Sequence, residues 1–261
     1  MVTRILVTGA SGTTGSALVH HLLAHGHEVT AVTRDPRRIP PRPGLTVSTT
    51  IVPARAAYLV APAGPAVPDH DRANLAAAVG AGIRRVVKLS AIGTPETPVP
   101  LTQLGAWHQP GEEALRTSGL EWTILRPTTF ASNSLAWAGD LRHGRPVPNV
   151  FGNGRQGVVD PADVAAVAAA ALTTGDHDGR TYTLTGPELI SVPEQVAQLG
   201  EVLGRPASTV EVPLEEAGVF AEGARLVRDG GNAIVTGDVH VVLGRPPRTY
   251  RDWAEDNRGR F

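Results

Sequence analysis

Along the first half of the chain the apolar positions fall in short unbroken runs, each closed by glycine, proline or a polar residue. RILVTG (4–9), AAYLVAP (56–62), RRVVKLSA (84–91) and EWTILRP (121–127) have the length and composition of buried strands. EVTAVTR (28–34) is another, and LTVSTT (45–50) is the candidate third strand. Between them the period changes. TGSALVHHLLAHG spaces its apolar residues for a helix with Gly26 as its stop, and DHDRANLAAAVGAG and GEEALRTSG predict two more. LTQLGAWHQPGE (101–112) leads into the last of these. Alternation of strand and helix predicts an α/β fold: a doubly wound, mostly parallel sheet with helices on both faces.

From about residue 128 this rhythm breaks. TTFASNSLAWAGDLRHGRPVPNVFGNGRQG mixes Gly, Pro and Asn with scattered aromatics, as a segment covering a substrate does. VVDPADVAAVAAAALTTG restores a helix, with Asp160 at its cap and Pro161 in its first turn. RTYTLTG (180–186) reads as a further strand, and SVPEQVAQLGEVLG opens on a capping box, Ser191 to Glu194. The remainder, through LEEAGVFAEGARLVRDGG, predicts a small helical lobe. The implied division is 1–127 plus 157–186 for the sheet unit, and 128–156 plus 187–261 for a substrate-binding lobe and lid.

Composition narrows the function classes. With 261 residues, 41% hydrophobic and a net charge of −1, the chain can bury a substantial core and carries no basic footprint for nucleic acid. No apolar run reaches bilayer length, which makes the cytoplasm the default location, as a monomer or homodimer. There is no cysteine, so neither disulfide nor thiolate chemistry is available. His21, His25 and His27 lie near one helix face without an acidic partner, which predicts no metal site. Lys88 is the only lysine, and any mechanism that needs one must use it.

Gly9, Gly12 and Gly15 form the loop GASGTTG between the first strand and the first helix. Glycines at this spacing allow a tight turn and close approach of backbone to a pyrophosphate at a helix N-terminus. Sites selective for NAD carry an acidic residue about twenty positions past the loop. Here that place holds Arg34, whose planar fork matches a 2′-phosphate, so NADPH/NADP is the expected cofactor. The competing reading of Arg34 is a solvated arginine paired with Asp35. Residues expected along the cofactor are Gly9, Ser11, Gly12, Thr13, Thr14, Gly15, Arg34, Pro62, Ser90 and Pro127.

TGASGTTG, VTRDP, VVKLSAIG, EEALRTSGLEWTILRPTTFASN, DPADVAAVAAAAL, GRTYTLTGPE and GRPPRTYRDWAED together resemble the NmrA-like branch of atypical short-chain dehydrogenases/reductases. The resemblance spans nearly the whole chain. It implies a Rossmann domain with a small C-terminal lobe and a cleft over the nicotinamide, in a family of quinone and ketone reductases, antibiotic-pathway enzymes and non-catalytic nucleotide sensors. One departure concerns residues 45–60, where the family has an acidic residue near the adenine and then a crossover helix. This chain has only IVPAR, so either the third strand is displaced or a connecting segment is trimmed.

The wider superfamily protonates its substrate with a tyrosine helped by a lysine four residues later. Tyr58, Tyr182 and Tyr250 are followed at that distance by Pro62, Gly186 and Ala254, which excludes the usual pair. Ser90, at the end of a central strand, could hydrogen-bond a substrate carbonyl or simply cap the strand. His108, near the vacated lysine position, could donate a proton or hold a ribose hydroxyl, or it could be a packed histidine. Gln103 could orient a substrate, while Trp107, Phe130 and Trp137 could stack on a flat ligand and Asn133 bond its oxygens. As plain readings, each aromatic is core packing. Three functions follow: reduction of a planar aromatic or polyketide-type ketone with the proton from substrate or solvent, quinone reduction, and redox sensing without turnover.

Overall fold

The computed structural model describes residues 3–94, 96–97, 99–218 and 221–261. The buried run Ile5–Thr8 makes β1 (Arg4–Thr8) an interior strand of the sheet. The chain then continues through α1 (Thr13–Ala24), β2 (Glu28–Val32), β3 (Leu45–Ser48), β4 (Ala56–Leu59), α2 (Val67–Gly80), β5 (Arg85–Leu89), α3 (Gln103–Arg116) and β6 (Glu121–Pro127). A short helix α4 (Ala138–Arg142) and strands β7 (Val147–Asn149) and β8 (Arg155–Gly157) precede α5 (Pro161–Thr173) and β9 (Arg180–Leu184). Strand order is β3-β2-β1-β4-β5-β6-β9, every neighbouring pair parallel. Strands buried on both faces need continuous apolar sequence, which is why these runs do not alternate.

One face of the sheet carries α1 and α5, whose Leu18, Leu22, Val164 and Leu172 close on Ile5, Val7 and Val29. The other carries α2 and α3, with Ala78 and Leu115 on Leu6, Val86 and Ile124. A third core gathers Ala131, Leu141 and Val147 with Val196 and Leu199 of α6 (Val192–Leu203) and Tyr250, Trp253 and Ala254 of α9 (Tyr250–Asp256). Between α6 and α9 lie β11 (Thr209–Glu211), α7 (Ala221–Arg228) and α8 (Asp238–Leu243), with β10 (Leu189–Ser191) just before α6. The Ser191–Glu194 capping box is present at α6, and Asp160 caps α5.

Three features differ from the pattern's expectation. The lobe is not purely helical: β10 pairs with β8, and β11 with β7. Part of the run read as helical lobe, Val219 and Phe220, lies outside the described residues. Second, α3 begins at Gln103 rather than near Gly111, because Thr102 caps it by accepting from Gly105 N, and Pro110 sits inside it. Third, β3 keeps its ordinary edge position and the connection to β4 is the trimmed part: residues 49–55 form neither helix nor strand. Extended backbone covers about 3.3–3.6 Å per residue, and β3 and β4 are separated by two strands spaced about 4.8 Å apart, so the crossing is geometrically possible. Ile51, Val52 and Ala54 pack on the α2/α3 core in place of the absent helix.

The lobe is tied to the sheet through its last residues. Arg245 reaches the fully buried Asp163 of α5 (2.7 Å), Arg248 N donates to the same carboxylate (2.6 Å), and Arg248 Nε donates to Asp160 (2.7 Å).

Candidate active site

The glycine loop is built as its spacing demands. Gly9 has φ +60°, in the left-handed region. A Cβ on Gly15 would lie 2.2 Å from Gly9 O, so the helix starts against the strand end only because both positions are bare. Gly12 caps α1 without a side chain, and the first intrahelical bond runs from Ser16 N to Gly12 O (2.9 Å). The N–H groups of Thr13, Thr14 and Gly15 are therefore left for a ligand, at the positive end of the helix dipole. This cradle fits a dinucleotide pyrophosphate. A cavity of about 530 Å³ opens beside it, walled by Ser11, Thr13, Ser132, Leu135, Asp160 and Arg260. The Thr14 hydroxyl itself is turned inward, accepting from the buried Tyr58 OH (3.1 Å).

Past β2, Asp35 does not pair with Arg34. Its carboxylate accepts from Arg37 Nε (2.8 Å) and NH2 (3.1 Å), and those bonds lower its pKa. Among the described residues Arg34 has no hydrogen-bond or ion-pair partner, so the pairing considered from the sequence is not formed. At the β3 end, Ser48 spends its hydroxyl on Thr50 O (2.8 Å), and no acidic residue follows it. Pro62 is exposed just past β4, and Pro127 is buried at the end of β6.

The proton donors considered from the sequence are placed as follows. His108 is buried on α3, and burial, then the adjacent Lys88 ammonium, hold its pKa down to about 3. Lys88 Nζ donates to His108 Nδ1 (3.1 Å) and contacts Asp71 Oδ2 of α2 (2.7 Å). A neutral imidazole enclosed by a salt bridge has no labile proton at neutral pH, so the acid role drawn for His108 does not suit this geometry. Tyr58 and Tyr250 are buried with their phenols pushed up by burial, and Tyr250 OH is committed to Ser134 Oγ (2.7 Å). Tyr182 OH lies 2.9 Å from His177 Nδ1, far along the sheet at β9.

Ser90 does lie at the C-terminal end of β5, its N–H donating to Leu125 O (2.7 Å). Its hydroxyl, however, donates to Glu112 Oε1 of α3 (2.5 Å). Glu112 is 1% exposed and held by Arg126 of β6 through Nε (3.0 Å) and NH2 (2.5 Å). Arg126 NH2 also reaches Glu96 (2.9 Å), which Arg116 clamps from outside (2.6 Å). Sequence reading passed over Glu112. Only the early start of α3 sets it one turn beyond His108, so that both face β5 across from Ser90 and Lys88.

The substrate candidates divide. Gln103 opens α3, exposed, with its N–H donating to Glu222 of α7 (3.3 Å), so the helix start meets the lobe. Between them runs a groove of about 650 Å³ lined by Pro100, Leu101, Ala221, Arg225 and Leu226. Trp107 is half-buried, and Asn133 is exposed. Phe130 packs partly on the sheet core, its backbone bridged to Val159. Trp137 packs against the lobe core beside Leu135 and Phe151, the plain reading of that aromatic.

Residues 9–175 match the family model described as NAD(P)H-binding. Over 98% of this chain and 99% of the relative, the sequence is 38% identical to (4-alkanoyl-5-oxo-2,5-dihydrofuran-3-yl)methyl phosphate reductase of Streptomyces griseus subsp. griseus. The chain belongs to the NAD(P)H-binding family. Within it, the relatives are reductases of the NmrA-like atypical short-chain dehydrogenase/reductase type, and the chain is an NAD(P)H-dependent oxidoreductase. An NAD(P)H azoreductase from Xenophilus azovorans is 30% identical over 98% of this chain and 99% of its own. Among solved structures, the NADPH complex of an NADPH-dependent quinone oxidoreductase from Escherichia coli superposes with a TM-score of 0.79 at 22% identity, covering 97% of this chain and 99% of that one. The alignment with the Streptomyces relative runs over 283 positions, longer than this chain, so that family member carries residues absent here. No helix among the described residues is long and apolar enough to cross a membrane.

Proposed function

We propose that this family member is an NADPH-dependent ketoreductase acting on a planar aromatic or polyketide-type ketone, in antibiotic-type secondary metabolism, with the proton supplied by the substrate or by solvent. The observation that carries this reading is a phosphate cradle with an unpaired Arg34 beside a strand end that holds no usable acid. When bound, NADPH supplies the hydride. The backbone N–H groups of Thr13, Thr14 and Gly15 hold its pyrophosphate, and Arg34 takes the 2′-phosphate through its fork. The chain then orients and encloses. Gln103 and Asn133 turn polar groups toward the substrate, Trp107 and Phe130 flank a flat ring, and the groove under α7 excludes water. Orientation alone can contribute about 7–11 kcal/mol, which suits an acceptor whose reduced oxygen is already stabilised by conjugation or by a neighbouring phenol. The Streptomyces relative's name, a reductase of an acylated oxo-dihydrofuran, supports a conjugated carbonyl acceptor.

The test is oxidation of NADPH followed at its nicotinamide absorbance against a panel of aryl ketones and quinones. Turnover of a ketone, with NADPH preferred over NADH, is the expected result. Tight NADP binding with no turnover of any ketone removes the ketoreductase reading. Quinone reduction is the second reading, favoured by the match to the quinone oxidoreductase structure, and quinones turned over faster than ketones select it.

A further inference from the structure

Ser90 has one hydroxyl hydrogen, and it is spent on Glu112 (2.5 Å). A serine oxygen has one donor and two acceptor sites, so what remains free on Ser90 accepts. Glu112 is kept in this role by Arg126, whose Nε donates to the oxygen that Ser90 uses and whose NH2 donates to the other. Carboxylate bonds to a guanidinium fork are strong and directional, so Glu112 cannot turn away to release the serine hydrogen. Arg126 is itself fixed, 3% exposed, with Glu96 on its remaining side. The chain Arg126–Glu112–Ser90 is buried from end to end and stops at the strand terminus where ligands of open α/β sheets lie. Among the described residues no donor reaches the free lone pairs of Ser90.

We propose that Glu112 is a positioning residue that converts Ser90 from a hydrogen-bond donor into a fixed acceptor, so that this site selects a ligand presenting an N–H or O–H there. That polarity is opposite to the carbonyl-binding role expected for Ser90. The inference rests on the reading of this strand end as the cofactor and substrate site. Two sources supply such a donor: the carboxamide of the nicotinamide, or a hydroxyl beside the carbonyl of the substrate.

Matched ligand pairs separate them. The cofactor arm compares, by calorimetry, NADP with its 3-acetylpyridine analogue, in which the carboxamide N–H₂ is replaced by methyl. The substrate arm compares KM and kcat for α-hydroxyacetophenone, whose alcohol stays protonated at neutral pH, and α-methoxyacetophenone. In one arm the donor-bearing ligand is expected to bind about 5–10-fold better, the value of one net hydrogen bond, with kcat little changed. Ser90→Ala is expected to abolish that preference. Glu112→Gln, whose amide can donate to Ser90 and free its hydrogen, is expected to abolish or reverse it, with circular dichroism reporting whether the fold is kept. If Glu112→Gln does not fold, Ser90→Ala alone decides. A wild-type enzyme indifferent to both pairs, or a preference that survives Ser90→Ala, overturns the inference while NADP binding still stands. No heat with NADP removes the functional reading of the site and the inference with it.

Discussion

At the scale of single residues, two side chains make opposite demands. Among the described residues Arg34 stands without a partner, Asp35 being taken by Arg37. Arg34→Ala is expected to raise the Kd for NADPH about 10- to 100-fold, the loss of a charge-assisted fork, and to leave NADH nearly unchanged; titration of both cofactors checks it. His108, by contrast, is buried against Lys88. Its pKa of about 3 in the fold lies below the 6.5 of an unfolded chain. The unfolded state therefore binds the proton more readily, and the contribution of His108 to stability is full above pH 6.5 and is lost as pH falls toward 3. Asp71 and Lys88 face it, so part of the acid response belongs to their pair. His108→Gln is expected to flatten the fall of Tm between pH 6.5 and 4 while leaving the pH profile of kcat between 6 and 8 unaltered. The glycine turn was legible in the sequence because it forms through local spacing. Glu112 was not, since its meaning depends on Arg126 from another strand and on Ser90 from a third element.

Elements tell the same story at greater length. Strands β1, β2, β4, β5 and β6 were readable as runs because burial on two faces leaves no alternation to interpret, and the edge strand β9 through its β-branched and aromatic residues. The start of α3 was hidden by Pro110, which signals a helix end in isolation, whereas here packing on α2 and β5 holds the helix through it. That packing is unusually close at one point: a Cβ on Gly111 would fall 2.2 Å from Asp71 Oδ2. Gly111→Ala is expected to push α3 away from α2 and cost about 2–4 kcal/mol in urea unfolding, more than overpacking alone, because it disturbs a buried ion pair. Gly15→Ala acts at a different place. Its methyl would meet Gly9 O, so NADPH affinity is expected to fall by at least tenfold with a smaller change in Tm, read by calorimetry and thermal melts. The short strands β7, β8, β10 and β11 escaped notice because each has only three residues, too few for a period to show.

Over the whole molecule, the lobe and the sheet are joined by carboxylates at the head of α5. Asp160 caps that helix and Asp163 sits in its first turn, and the two carboxylates receive Arg248 and Arg245 from the segment leading into α9. Removing one partner from a buried charge leaves the other uncompensated, so Arg248→Ala is expected to cost about 2–4 kcal/mol. If the joint couples the two cores, the melt stays a single transition at lower temperature; a new early transition in calorimetry shows the lobe letting go first. None of this long-range wiring was visible in the sequence, where the two arginines lie some eighty positions from their carboxylates. Chemistry at the molecular surface follows from another interior choice. Lys88 is the chain's single lysine and is 3% exposed beneath α2 and α3. The folded exterior therefore offers an acylating reagent no ε-amine. An acyl group on Lys88, read as a mass increment on the peptide around it, is added only when sheet and helices part, so the molecule carries its own counter of opening events.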